Sequence, residues 1–513
     1  MSIMLAGSRN RIERSFALRT QAAGHDAFIP APTHVDNGDE ALYSDKCGTY
    51  TKGVLQSGIG LVDLAAYTTF KKALSSGDPA DFDAITLGGP RTLNGPQGGL
   101  AFELECLDSS QFRAPPAPAL ASEDYATELV EMYWASLLRD VAFTDYAGNA
   151  VAVKAAGELS LMTQYKGPRD GSGKVTPNLL FRGSFPGETI GPYLSQFILQ
   201  NTSMGALPIV QRYMTLKPGV DFMKDPVTFQ KVQNGQPTGM ALTPTGPAFM
   251  HNGRGLAAFT HADVLYQAYL TAYLVLNSIN APLNPGNPYN GDKTQNGFNT
   301  LGQPDIAATL ASVASEALKA VWYQKWYVHL RHRPESGGAI VHLAKTGQGN
   351  TIEGQLSDTV LNSQAVQSSF AANTSYFLSQ AFPEGAPTHP AYPTGHGCVA
   401  GACITVLKFF FDASFVIANP QVASSDGTML GAYGGGDAGK ITVDGELNKL
   451  ASNISFGHGT HAGIHWRSDT DTSIKLGEAV ALRVLQDRVH TYNEKFTVSL
   501  TKLDGNVATI SNQ

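Results

Sequence analysis

Apolar positions recur every three or four residues over two long stretches of the chain, the spacing of helices that bury one face. In the first, Leu129, Val130, Tyr133, Trp134, Leu137, Leu138 and Val141 follow Ser122, a good N-cap, and Glu123 and Asp124, which favour the positive end of a helix. The second opens near Pro304 and puts Ile306, Leu310, Val313, Ala317 and Val321 on one stripe. Two further stretches read as buried helices by their apolar content. Ala262 to Asn277 is too short to span a bilayer and, with Asp263 and its tyrosines, too polar, so it is expected as a core helix. Cys398 to Phe411 is a run of small and apolar residues. Tracts rich in Gly, Pro and Asn separate these elements: Gly88 to Pro90, Ala114 to Pro118, Asn280 to Pro304, and Ala423 to Gly445 with a β-like Ile441-Thr442-Val443. The glycines Gly434 to Gly436 are not followed by a helix-opening Lys-Ser/Thr, which removes the P-loop reading. The expected architecture is all-α, built on helical bundles. A loop-rich and helical N-terminal portion over residues 1–190 packs on a helical-bundle portion over 191–513 that carries the chemistry.

Composition adds constraints on partners. Only 15% of the 513 residues are charged against 42% hydrophobic, which suits a large core or an oligomer with little surface per residue. The net charge of −7 provides no basic field for nucleic acid or for an anionic membrane, so any anion site must be local. Cys47, Cys106, Cys398 and Cys403 are too few and too scattered for a disulfide framework and read as reduced thiols. The N-terminus lacks the apolar core of about seven residues that a secretory signal needs, and a cytoplasmic protein is expected.

Three segments carry candidate chemistry. The stripe of the helix after Pro304 continues to Lys325 and Val328, and a lysine on a core face needs an anion or a route to water. Arg333 stands before Pro334, where that helix should stop, so lysine and arginine are expected to meet at one helix end. A snorkelling lysine and a surface salt bridge would explain the same spacing. In the second segment, Thr394, Gly395 and His396 precede the helix that begins near Cys398; free N–H groups and the positive helix end there form an oxyanion cradle. Thr394 could equally be a plain N-cap. His389 lies seven residues before His396, between Pro387 and Pro390, which stiffen its loop. In the third, Asp469 follows His465 by four, so on a helix its carboxylate would fix the imidazole tautomer and leave the other nitrogen to attack or coordinate. His458, His461 and His465 fall at metal-like spacing, but no cysteine or carboxylate cluster joins them to make a zinc site.

Taken together, Lys325 to Arg333-Pro334, Pro393-Thr394-Gly395-His396 and Gly463 to Asp469 resemble the three-part signature of the vanadium haloperoxidase and type 2 phosphatidic acid phosphatase superfamily. The stretches Gln324 to Glu335, Gly187 to Leu199 and Val130 to Tyr146 are similar to the algal and cyanobacterial bromoperoxidases, and the likeness runs from about residue 40 to residue 490. The resemblance implies vanadate as cofactor, with phosphate able to occupy the site in its absence. It also implies hydrogen peroxide, bromide or iodide, and small organic molecules as substrates, and a homo-oligomeric assembly. By the same resemblance His465 is the axial vanadium ligand, and Lys325, Arg333, Thr394 and the Gly395 amide hold the equatorial oxygens. His396 is the acid–base residue, and His389 is the second active-site histidine of bromoperoxidases.

Two positions depart from the family. Threonine replaces the usual serine at 394 and keeps the hydroxyl. Gly459 stands where the family has an arginine six residues before the axial histidine, which removes a guanidinium clamp; His458 and Arg467 are the candidates to replace it. The loss of one charge-assisted hydrogen bond, about 1.5–3 kcal/mol, would weaken oxyanion binding. The alternatives are a phosphatase on the same scaffold, with His465 as the phosphoryl nucleophile, and a non-catalytic oxyanion-binding protein.

Overall fold

A computed structural model describes residues 8–513; the first seven residues, part of the N-terminus read above for a leader, lie outside the described residues. The helices that position the site are α1 (Glu123–Leu138), α2 (Gly253–His261), α3 (Gln267–Ser278), α4 (Gln303–Tyr323), α5 (Pro334–Lys345), α6 (Gly395–Phe410), α7 (Val443–Phe456) and α8 (Arg467–Arg488). The described strands pair only as five two-stranded antiparallel ribbons, such as Thr497–Thr501 against Val507–Ser511 with Val498 opposite Ile510. The fold is helical, as the periodicity predicts. Ser122 caps α1 by accepting from the Tyr125 amide, and the Asn280 to Pro304 tract contains only isolated bridges between α3 and α4.

Helix α6 sits at the centre, packed by α4, α7 and α8. Each of its residues is buried, as a helix apolar on all sides requires. It crosses α8 with backbone against backbone. A Cβ on Gly477 would fall 1.9 Å from the Cys398 carbonyl oxygen, and one on Gly401 would fall 1.9 Å from that of Ile474, so only glycine fits either position. This contact sets the N-terminus of α6, with Thr394 and His396, beside the first turns of α8, with Asp469 and Thr470. None of the described helices is long and apolar enough to cross a membrane.

Four expectations about element boundaries fail, each for a local reason. The core helix expected over Ala262 to Asn277 starts late: α2 ends at His261, α3 begins at Gln267, and Asp263 lies in the break between them. The β-like Ile441-Thr442-Val443 is the entry to α7, where Thr442 caps the helix by accepting from Gly445 N. The helix through Lys325 does not run to Arg333. After Tyr323 the chain forms a π turn over Gln324–His329, Leu330 takes a left-handed conformation with φ of 44°, and Arg333 is the N-cap position of α5. Pro334 thus opens a helix instead of closing one, as proline at the first helical position does. Finally, His465 precedes α8, which starts at Arg467.

Candidate active site

Lys325 and Arg333 approach the same point from separate elements. The π turn holds Lys325 fully buried, and its Nζ donates to the carbonyls of Pro390 (2.8 Å) and Ala391 (2.9 Å). Arg333 Nε donates to the His389 carbonyl at 2.9 Å, and its Nη1 donates to the Ile464 carbonyl at 2.9 Å and to His465 Nε2 at 2.8 Å. Its Nη2 lies 3.0 Å from His389 Nδ1. Every one of these partners is a carbonyl or an imidazole, and among the described residues no carboxylate pairs with either cation. The snorkelling and surface salt-bridge readings are therefore excluded.

His465 is held from the other side. Its Nδ1 lies 2.9 Å from Asp469 Oδ2, and Asp469 Oδ1 accepts from Arg331 Nη1 at 2.7 Å. Arg331 in turn donates to Glu128 of α1 at 2.9 Å, and Glu128 also accepts from Ser468. Because Arg333 can only donate, His465 Nε2 accepts and the proton is assigned to Nδ1. The i to i+4 spacing works without a helix at His465. Asp469 sits in the first turn of α8 and reaches back, accepting from the Trp466 amide at 3.1 Å as well.

The cradle at the start of α6 is present. Thr394 occupies its N-cap position, yet the hydroxyl caps nothing, and Thr394 Oγ1 is a buried polar atom without a partner among the described residues. That removes the plain N-cap reading. His396, one residue into the helix, points the other way and places Nε2 3.0 Å from Asp263 Oδ1. His389 packs against Trp322, with ring centroids 4.8 Å apart. Gly395, His389, His396, Asp263, Trp322 and His458 line a cavity of about 300 Å³.

The two candidates for the missing charge separate cleanly. Arg467 is committed elsewhere: it is buried and pairs with Glu131 through Nε (2.9 Å) and Nη2 (2.5 Å). His458 stacks on His396 with centroids 3.7 Å apart and lies 5.4 Å from the His465 ring. His461, the third member of the metal-like spacing, faces away and packs among Phe143, Phe181 and Tyr193.

Electrostatics show what such a site lacks. Burial, and next the Arg333 guanidinium, push the Lys325 ammonium well below its ordinary range. Burial brings Arg333 down to about 10. The imidazoles of His389 and His465 are held well below theirs by burial and then by Arg333, and that of His458 by burial and then by His396. Two buried cations facing neutral imidazoles are costly unless an anion joins them.

Asp263, Arg331 and Glu128 escaped the sequence reading. Asp263 is a lone carboxylate in an apolar run, which a core helix tolerates poorly; that misfit was the available signal. Arg331 and Glu128 had none, since their pairing spans over 200 residues of chain.

Comparison with known proteins agrees with this site. Residues 305–494 match the family model described as the VCPO second helical-bundle domain. The chain is 31% identical to the vanadium-dependent bromoperoxidase of Corallina officinalis over 98% of its own length and 99% of the relative's. It is 30% identical to that of Ascophyllum nodosum, covering 97% and 92% of the two. The second vanadate-dependent bromoperoxidase of Ascophyllum nodosum, a homohexamer, superposes with a TM-score of 0.93 at 28% identity, covering 98% of this chain and 91% of the other. The chain belongs to the vanadium-dependent haloperoxidase family.

Proposed function

We propose that the protein is a vanadate-dependent haloperoxidase that oxidises bromide or iodide with hydrogen peroxide. The observation that carries this reading is the buried pair Lys325 and Arg333, without a carboxylate partner among the described residues, with Arg333 Nη1 on His465 Nε2 and Thr394 Oγ1 buried and unpartnered among the described residues. Lys325, Arg333, Thr394 and the Gly395 amide would hold the oxygens of a tetrahedral oxyanion, and His465 Nε2 is the atom that would face vanadium. Bound vanadate supplies a Lewis acid that makes a peroxide oxygen electrophilic toward halide without redox change at the metal. The net reaction, hydrogen peroxide plus bromide plus one proton giving hypobromous acid and water, consumes that proton. His396, whose Nε2 donates to Asp263, would supply it and take a proton from incoming peroxide through its other ring nitrogen. Asp469 keeps His465 in the tautomer whose Nε2 carries the lone pair, which accepts from Arg333 and would turn to vanadium when the anion binds. Hypohalous product would leave through the cavity toward small organic acceptors.

Phosphate has the same shape and charge type, so it would occupy the site when vanadate is absent. A homo-oligomer is supported by the hexameric relative and by large apolar side chains on the surface, such as Phe102 at 86% and Phe28 at 89% exposure. The test is halogenation of a phenol dye by apo-protein, bromide and hydrogen peroxide, with vanadate or phosphate added. Turnover with vanadate alone is expected. Hydrolysis of a phosphomonoester without halogenation would assign His465 as a phosphoryl nucleophile, and tight vanadate binding with neither activity would leave an oxyanion-binding protein.

A further inference from the structure

The helix that leads to His465 contains one residue more than an α-helical path needs. Helix α7 passes into a π turn over Gly457–His461, in which Ala462 N donates to the Gly457 carbonyl (3.2 Å) and Ile464 N to that of Gly459 (2.9 Å). Each bond spans five residues instead of four, which is how a helix absorbs a single inserted residue, and such turns concentrate at functional sites. Counting back six residues from His465 therefore arrives at the wrong side chain. A Cβ on Gly459 would lie 3.1 Å from the Cβ of His465 and 3.5 Å from Thr470 Oγ1, against the back of the histidine and not in the cavity. Nor does this glycine have a positive φ; in this stretch that belongs to Gly463, at 90°. The inward position is taken by the residue seven before His465. That residue is His458, whose ring lies over His396 and lines the same cavity as His389 and Gly395. It is 7% exposed, and its Nδ1 is buried without a partner among the described residues, an orphan of the kind a ligand satisfies.

We infer that His458 is an oxyanion-holding residue of this site, carried there by the extra residue of the π turn, and that it replaces a fixed guanidinium with an imidazole N–H donor. The inference rests on the reading of the site as an oxyanion site. Chemically, an imidazole offers one donor where a guanidinium offers a charged fork, so the oxyanion is held with less fixed charge and more room at the cavity wall. Among the described residues, Lys325 and Arg333 are then the cationic side chains left to face it.

Calorimetric titration of apo-protein with vanadate, and separately with inorganic phosphate, tests this without any turnover. His458→Ala should weaken vanadate binding about 10- to 100-fold, the effect of a lost hydrogen bond to a charged group, in a sample shown to be folded by circular dichroism. His458→Arg combined with deletion of Gly459, which restores the α-helical count, should bind at least as tightly as wild type. Gly459→Arg alone should not tighten binding, because its side chain has no path to the cavity. If His458→Ala does not fold, His458→Gln against His458→Leu carries the same contrast, since the two are of similar size and only glutamine keeps a donor. Wild-type affinity in His458→Ala or His458→Leu, or tighter binding in Gly459→Arg, overturns the inference while leaving the oxyanion site standing. Failure of the wild-type protein to bind either anion overturns both.

Discussion

Replacing Asp469 separates the support of the site from its contents. The carboxylate is fully buried and serves three donors: His465 Nδ1 at 2.9 Å, Arg331 Nη1 at 2.7 Å and the Trp466 amide at 3.1 Å. Asp469→Ala would leave the buried Arg331 with Glu128 as its only carboxylate and a helix-start amide unpaired. Breaking a buried pair from one side costs about 3–5 kcal/mol, so this variant should melt well below wild type. Asp469→Asn keeps the shape and an acceptor oxygen but loses the charge that fixes the imidazole tautomer. Its fold should survive, while vanadate affinity falls by about 10- to 100-fold, as when an outer partner of a ligating histidine is changed. Circular dichroism melts and calorimetric vanadate titration of both apo-variants read the two effects independently. Wild-type vanadate affinity in a folded Asp469→Asn sample would refute the positioning role, and with it the argument that the tautomer of His465 matters.

Other predictions follow from single contacts. His396→Ala should abolish halide oxidation but retain vanadate binding by calorimetry, because the ring turns toward Asp263 and away from Lys325 and Arg333; loss of binding instead would make it an oxyanion ligand. Asp263→Asn should shift the pH profile of kcat in the same assay without changing vanadate affinity, and an unmoved profile would remove its role in orienting His396. Gly477→Ala should be severely destabilised, by more than about 3 kcal/mol in a denaturant titration, because its Cβ would lie 1.9 Å from the Cys398 carbonyl oxygen. Burial raises Glu316, on α4, from 4.5 to about 7. A carboxyl with a raised folded pKa contributes stability fully below its unfolded pKa and loses it as pH rises through the folded one. Glu316→Gln should therefore gain stability relative to wild type as pH rises from 4.5 to about 7, and a pH-independent difference in melts would contradict the assignment.

Much of the scaffold is legible from local signals. The Ser122 cap, the stripe from Ile306 to Val321 and the largely apolar run that becomes α6 are each set by residues close in sequence, which periodicity detects. Arg333, His389 and His465 are in direct contact, and Lys325 holds the carbonyls of the loop that follows His389. What stayed hidden depends on distant chain. Arg331 reads from sequence as one more base in a basic stretch, and only the fold brings it to Asp469 and Glu128. The break that holds Asp263 cannot be seen from hydropathy, because the apolar run from Ala262 continues through it into α3.

Each of the two π turns among the described residues carries a polar group to the site. Lys325 lies in the π turn Gln324–His329, and His458 lies in the π turn Gly457–His461. A regular α-helix advances every side chain by the same angle, so a stripe that buries Val321 would continue inward with residues chosen for packing. A π turn rotates the following residues relative to that stripe, and it can place one polar group inward while the apolar face before it stays on its own neighbours. Its weaker hydrogen bonding has a local cost, which the surrounding contacts offset. At Lys325 these are the carbonyls of Pro390 and Ala391; at His458 they are the stacked His396 and the wall around Gly457, where a Cβ would meet the Leu256 Cβ at 2.7 Å. Gly457 is thus required by close packing at the entrance of the turn, while a side chain at Gly459 would press on the Cβ of His465 within it. On the proposed role of His458, the pattern Gly-His-Gly marks a helix widened by one residue to bring a histidine to an anion, and not a clamp that has lost its arginine.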